Sequence, residues 1–246
     1  MKTIEKYIKE SLLDDEDDLV DGELYQPKNK DELIEAIKTC LDAKIYDLNC
    51  IDTSRITDMS HLFDSSMFYR IFNPLEDYRK YFNKINISKW NVSNVKNMSS
   101  MFYGANFNGD ISKWNVSNVI CMDYIFAESK FNGDISKWDV SNVTHMNNMF
   151  EKTKFNKDIS KWNVSKVIYM NYMFAESKFN GDISKWNVSN VINMSCMFCL
   201  ANFNGDISKW DVSKVKHMNY MFYNSKFKGD VSKWNISKDT STNNMF

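Results

Sequence analysis

Three sets of side chains have types and spacings that could do chemistry. Cys196 and Cys199 form a Cys-x-x-Cys pair, a spacing shared by zinc sites and dithiol redox centres. A structural zinc needs four ligands, and no second pair lies nearby in the sequence. His61, His145 and His217 would have to converge to share a metal or a proton. Asp110, Asp134, Asp158, Asp182, Asp206 and Asp230 recur at a fixed step and raise the possibility of calcium. Each gives a single carboxylate, without the clustered oxygens of a calcium loop. A turn-forming Asp that accepts backbone N–H groups is therefore expected instead.

The fixed step belongs to the whole chain. Trp90, Trp114, Trp138, Trp162, Trp186, Trp210 and Trp234 fall at 24-residue intervals, and so do Phe102, Phe126, Phe150, Phe174, Phe198, Phe222 and Phe246. The unit reads FNGDISKWNVSNVxxMxxMFxxx. In this register Cys196 and Cys199 stand where Tyr124 and Ala127 stand, so ordinary substitution accounts for them. His145 and His217 share a register position but lie three units apart, roughly 14 Å at the spacing of paired strands. A degenerate copy comes first, with Leu48, Ile51, Thr53, Ile56, Met59, Leu62 and Phe63 in the places of Ile111 through Phe126.

Ile111, Trp114, Val116 and Val119 follow the L-x-x-L-x-L spacing of a leucine-rich repeat. Lys113 to Ser117 alternates polar and apolar, which predicts a short strand with Trp114 and Val116 inward. Val119, Met122, Ile125 and Phe126 fit one face of a short helical or 3₁₀ segment. Asn108-Gly109-Asp110 predicts a turn, with Gly109 at positive φ; Lys157 replaces this glycine in one unit. No unit can bury its apolar side alone, whereas stacked units can. The expected fold is a repeat solenoid of leucine-rich-repeat type, α/β, with short parallel strands and short helical or 3₁₀ segments over residues 45–246.

An N-terminal helical cap is expected within residues 28–44. Asn29 and Glu32 make a capping box, and Leu33, Ile34, Ile37 and Leu41 form an apolar stripe. Residues 1–27 read as a tail and a candidate docking segment, with a short amphipathic helix over 1–13. An insertion near residues 64–80 carries Phe68, Tyr69, Arg70, Phe72, Tyr78 and Arg79, and insertions in repeat arrays often carry binding. In the last unit Asp239 and Thr242 replace core residues, a minimal cap that is expected to fray first.

The outward positions of the expected strand give a second candidate binding face. It comprises Lys113, Asn115 and Ser117 with Lys137, Asp139, Ser141, Lys161, Asn163, Ser165, Lys185, Asn187 and Ser189. Such uniform columns suit an extended or repetitive protein partner. The same uniformity argues against catalysis, which needs unlike groups converging in a pocket. No enzyme, cofactor or metal is expected.

Composition narrows the partners further. Thirty-one basic against 32 acidic residues, net −1, leave no basic field for nucleic acid. No run of apolar residues is long enough to span a membrane, and the N-terminus lacks a secretory signal pattern. Five cysteines without regular spacing make no disulfide framework and fit a reducing compartment. A cytoplasmic location follows by default.

The unit FNGDISKWNVSNVxxMxxMF resembles the BspA-like leucine-rich repeat family of bacterial surface proteins, over about residues 45–246. The resemblance implies a leucine-rich-repeat solenoid, a surface location, and adhesion or protein binding. The competing function is a structural component of a larger assembly, attached through the N-terminal segment.

Overall fold

A capped helix precedes the repeats. The computed structural model describes Ile4, residues 24–66 and residues 81–246. Helix α1 runs from Lys30 to Asp42. The Asn29 side chain accepts from the Glu32 N–H at 2.9 Å, and Glu32 reaches back to the Lys28 N–H at 2.9 Å. The first bond satisfies one of the N–H groups that the helix start leaves unpaired, and the second ties down the N–H of the residue before the cap. Leu33, Ala36, Ile37, Cys40 and Leu41 make its buried face and share one core with Ile51 and Ile56 of the first unit. A single 3₁₀ turn, Leu48–Cys50, follows.

The body begins earlier than the expected tail boundary. Tyr25 pairs in parallel with Ile51, donating to the Cys50 carbonyl at 3.1 Å and accepting from the Asp52 N–H at 2.8 Å. Pro27 is buried, and so is Ile4. The rest of the expected 1–13 helix lies outside the described residues.

Successive units pair through one parallel bridge each: Asn97 with Cys121, then His145, Tyr169, Asn193, His217 and Ser241. The first unit joins through two bridges, Asp47 with Asn86 and Asp58 with Asn97, so the pairing steps over the insertion. These bridges do not fall in the segment expected to be a strand. Lys113 to Ser117 instead joins two tight turns and takes part in both, Trp114 N–H to Ile111 O (3.2 Å) and Val119 N–H to Val116 O (2.9 Å). The alternation that suggests a strand is still real: Trp114 and Val116 are buried, Lys113 and Asn115 exposed. Asn115 accounts for the difference. Its Oδ1 accepts from the Ser117 N–H at 3.1 Å, a local bond that bends the chain and competes with a strand ladder.

The expected helical segment is also something else. Met122, Tyr124, Phe126 and Glu128 donate their N–H groups to the next unit, at His145, Asn147, Met149 and Glu151. The intervening Ile125, Ala127 and Ser129 donate three residues back. A 3₁₀ helix would keep every such bond local; here the neighbouring unit takes every second donor. Tyr124 and Glu128 sit at positive φ (58° each), as do their equivalents Asn148, Tyr172, Cys196 and Tyr220. Such backbone is uncommon for residues other than glycine, and the bonds across units hold it.

Side-chain ladders continue the register. Asn132, Asn156, Asn180 and Asn204 each donate a backbone N–H to the asparagine Oδ1 one unit earlier, at 2.7–3.2 Å. Within the core, Trp114 stacks on Trp138 at 6.4 Å and Phe126 on Phe150 at 5.9 Å. A second phenylalanine column, Phe107, Phe131 and Phe155, stacks at 6.4 Å per unit. Each indole satisfies its N–H inside the stack, as Trp138 does on the Ile111 carbonyl at 3.1 Å.

These spacings carry shape. Paired backbones lie about 4.8 Å apart, while the tryptophans are spaced 6.4 Å. The units are therefore closest at the bridge ladder and splayed at the tryptophans, which puts the ladder on the inner side of a curve. Gly109 does not take the expected positive φ. Among the described glycines only Gly104 does. A Cβ on Gly109 would instead meet the Phe107 ring at 2.8 Å.

Candidate functional site

The residues expected to bind fall into groups that the structure treats differently. Lys113, Lys137, Lys161 and Lys185 are exposed and form one column. Asn115, Asp139, Asn163 and Asn187 are exposed too, but each accepts the N–H of the serine two residues on, at 3.0–3.2 Å. Those serines, Ser117, Ser141, Ser165 and Ser189, are half-buried. Ser117 and Ser165 also give their carbonyls to Asn142 and Asn190 of the next unit. Asparagine and serine in this face are thus committed to building the turn and the ladder. The insertion residues Phe68, Tyr69, Arg70, Phe72, Tyr78 and Arg79 lie outside the described residues.

The aspartate column makes turns as well. Asp110, Asp134, Asp158, Asp182, Asp206 and Asp230 each accept from a serine N–H at 2.9 Å. Their carboxyls are held below the usual range, at Asp134, Asp158, Asp182, Asp206 and Asp230 by the serine N–H first and its hydroxyl next. At Asp110 the hydroxyl comes first. Depressed folded-state values mean stabilisation that is present above the unfolded value and lost as pH falls through the folded one. The melting temperature should therefore fall as pH drops below about 4. Asparagine at these positions keeps the turn and should flatten that fall. An unchanged acid profile in a melting series of the two proteins would contradict the assignment.

Cys196 and Cys199 lie together on the ladder side. Burial first, then the neighbouring Cys196 and the Glu176 charge, push the Cys199 thiol up to about 11, so it is protonated and a poor nucleophile near neutrality. Among the described residues no three His, Cys, Asp or Glu side chains gather as metal ligands.

A surface that the sequence reading did not single out lies on the ladder side. One column there runs Ser100, Tyr124, Asn148, Tyr172, Cys196, Tyr220 and Asn244, all at positive φ. Its tyrosines stand in every second unit, each 40% exposed, whereas Asn148 is 5% exposed and Cys196 6%. Aromatic pillars thus alternate with low positions. Tyr103 packs edge-on to Tyr124 at 6.4 Å, and Tyr223 to Tyr220 at 5.6 Å. Leu200 is exposed beside them.

Acidic side chains flank the pillars. Asn148 donates to Glu151 at 2.7 Å. Lys152 bridges Glu128 at 3.1 Å and Glu151 at 3.8 Å. Burial, then the charges of Glu151 and Asp123, raise the Tyr124 hydroxyl. A hydrogen bond with Cys196 is the first cause that pushes Tyr172 up to about 12. Both hydroxyls stay protonated and able to donate near neutral pH. The signal for this surface was present in the sequence: these are the positions where the unit fails to repeat, and side chains freed from the common frame are the ones available for recognition.

Fold and surface together define a repeat protein with an invariant buried frame and a variable, tyrosine-bearing inner side. A family model described as Mycoplasma protein of unknown function, DUF285, matches residues 65–178 and again 153–246. The chain belongs to this family. The two matches overlap over roughly one unit, as a repetitive sequence allows. No curated protein and no solved structure gives a significant match. Among the described residues no helix is long and apolar enough to cross a membrane.

Proposed function

We propose that this chain is a non-catalytic protein-binding scaffold, a solenoid of leucine-rich-repeat type that presents its partner site along the inner, ladder side. The observation that carries this is the column of exposed tyrosines at Tyr124, Tyr172 and Tyr220. Tyrosine offers a large contact area with little conformational freedom to lose and is enriched where proteins meet. The resemblance to the BspA-like family adds adhesion at a cell surface as the setting. The competing reading is a structural component of a larger assembly attached through its N-terminal segment; against it stand Ile4, which is buried, and Tyr25, which pairs with Ile51, since both are engaged by the body.

A photo-crosslinking amino acid placed at Tyr172, and separately at Lys137, tests the proposal in the cell that makes the protein. The Tyr172 position should yield discrete protein adducts and the Lys137 position none. Adducts from Lys137 alone would move the site to the opposite columns. Absence of adducts from both would overturn the binding role.

A further inference from the structure

We infer that the tyrosine column binds a polyproline II segment carrying an arginine, laid along the stack. This deepens the protein-binding reading and rests on it. Tyr124, Tyr172 and Tyr220 are two units apart, which at the ladder spacing is about 9.6 Å. A polyproline II helix repeats every three residues at about 3.1 Å each, or about 9.3 Å. Every third residue of such a ligand therefore meets the same pillar-and-gap environment. A β-strand ligand presents its like-facing side chains about 6.7 Å apart and falls out of step after one pillar. Proline rings pack on tyrosine faces, and the carbonyls of polyproline II, free of internal bonds, accept from tyrosine hydroxyls.

The arginine is assigned by the gap between Tyr124 and Tyr172. Its floor is Asn148, whose Oδ1 is buried and has no hydrogen-bond partner; the Oδ1 of neighbouring Asn147 is in the same state. Among the described residues these are the two buried side-chain polar atoms without a partner. Both are acceptors that lack a donor, and a rotation of the Asn148 side chain toward the gap brings its oxygen within reach of one. Glu151 stands over the same gap, bonded to Asn148 at 2.7 Å, and its charge acts on both Tyr124 and Tyr172. Lys152, shared between Glu128 and Glu151, also feels the charge of Glu176, and Asp123 acts on Tyr124 beside Glu151, so carboxylates outnumber this lysine around it. A guanidinium supplies several N–H donors in a planar fork and one positive charge, which fits a carboxylate beside amide oxygens.

Fluorescence anisotropy with the full chain tests this. The probes are a labelled nonaproline bearing one terminal arginine, the same peptide without arginine, and a Gly-Ser peptide of equal length bearing the arginine. Saturable binding of the first is expected, weaker by about tenfold without the arginine and absent for the Gly-Ser peptide. Tyr172→Ala should weaken binding by about tenfold, Tyr172→Phe less, and Glu151→Gln should erase the preference for arginine. Each variant is required to melt like the parent, which the exposed position of Tyr172 allows. Equal binding of the Gly-Ser peptide would reduce the effect to charge and overturn the inference. If none of the peptides binds while the Tyr172 crosslink to a protein persists, the polyproline assignment fails and the binding scaffold stands. If the crosslink is absent too, both fail.

Discussion

Trp138→Ala is expected to cost about 3–5 kcal/mol of unfolding free energy in urea denaturation. Trp138 is buried, stacked against Trp114 at 6.4 Å and packed by Phe126 at 6.1 Å. Its neighbours above and below are held by their own ladders and cannot close the cavity. The indole N–H bond to the Ile111 carbonyl is lost as well. That carbonyl still accepts from the Trp114 N–H, so it is not stranded, and packing dominates the loss. Trp138→Phe keeps a ring in the stack and should cost less. Tyr172→Ala, on the surface, should shift stability by no more than about 0.5 kcal/mol. Stability in a stack comes from nearest neighbours, so the cavity should also loosen the coupling between the halves on either side. A Trp138→Ala cost below about 1 kcal/mol would contradict the buried aromatic frame.

The frame was legible because Trp114 recurs as Trp138 and Phe126 as Phe150. Invariance at large apolar residues, kept at a constant step, has few causes other than identical packing. Helix α1 was legible for a local reason, since Asn29 and Glu32 cap it wherever the chain goes next. The paired segment was misplaced because alternation at Lys113 to Ser117 reports which side chains are inward and not where backbone N–H groups go. Those destinations depend on the next unit, which takes the Met122 and Tyr124 donors and leaves Ile125 to bond locally. Gly109 was assigned a conformational role, whereas its actual constraint is the Phe107 ring beside it, a tertiary neighbour that turn chemistry does not report.

The proposed binding surface escapes a sequence reading for a related reason. Uniform Lys, Asn and Ser columns draw attention, yet uniformity at Asn115 and Ser117 reflects the turn that every unit must make. The proposed site lies instead at positions that vary against the frame, which in this chain are Tyr124, Asn148, Tyr172, Cys196 and Tyr220. Along the sequence such variation looks like noise, until the inner side of the stack gathers it into one column.

The central claim is that the 24-residue unit is the structural quantum of this molecule, each copy interchangeable with its neighbours. Removing residues 155–178 joins Lys154 to Phe179, so Phe179 takes the place of Phe155 and His145 meets Asn193 as its new bridge partner. Every aromatic column, asparagine ladder and cross-unit N–H bond closes again. Removing only residues 155–166 takes Phe155, Ile159, Trp162 and Val164 out of the core and leaves the remainder of the unit with nothing to cover. The measurement is thermal unfolding of the two deletion variants, followed by far- and near-ultraviolet circular dichroism. The larger deletion should give a folded protein with a cooperative melt and an intact tryptophan signal, and the smaller one should lose both. Equal behaviour of the two variants, whether both fold or both fail, would contradict the account.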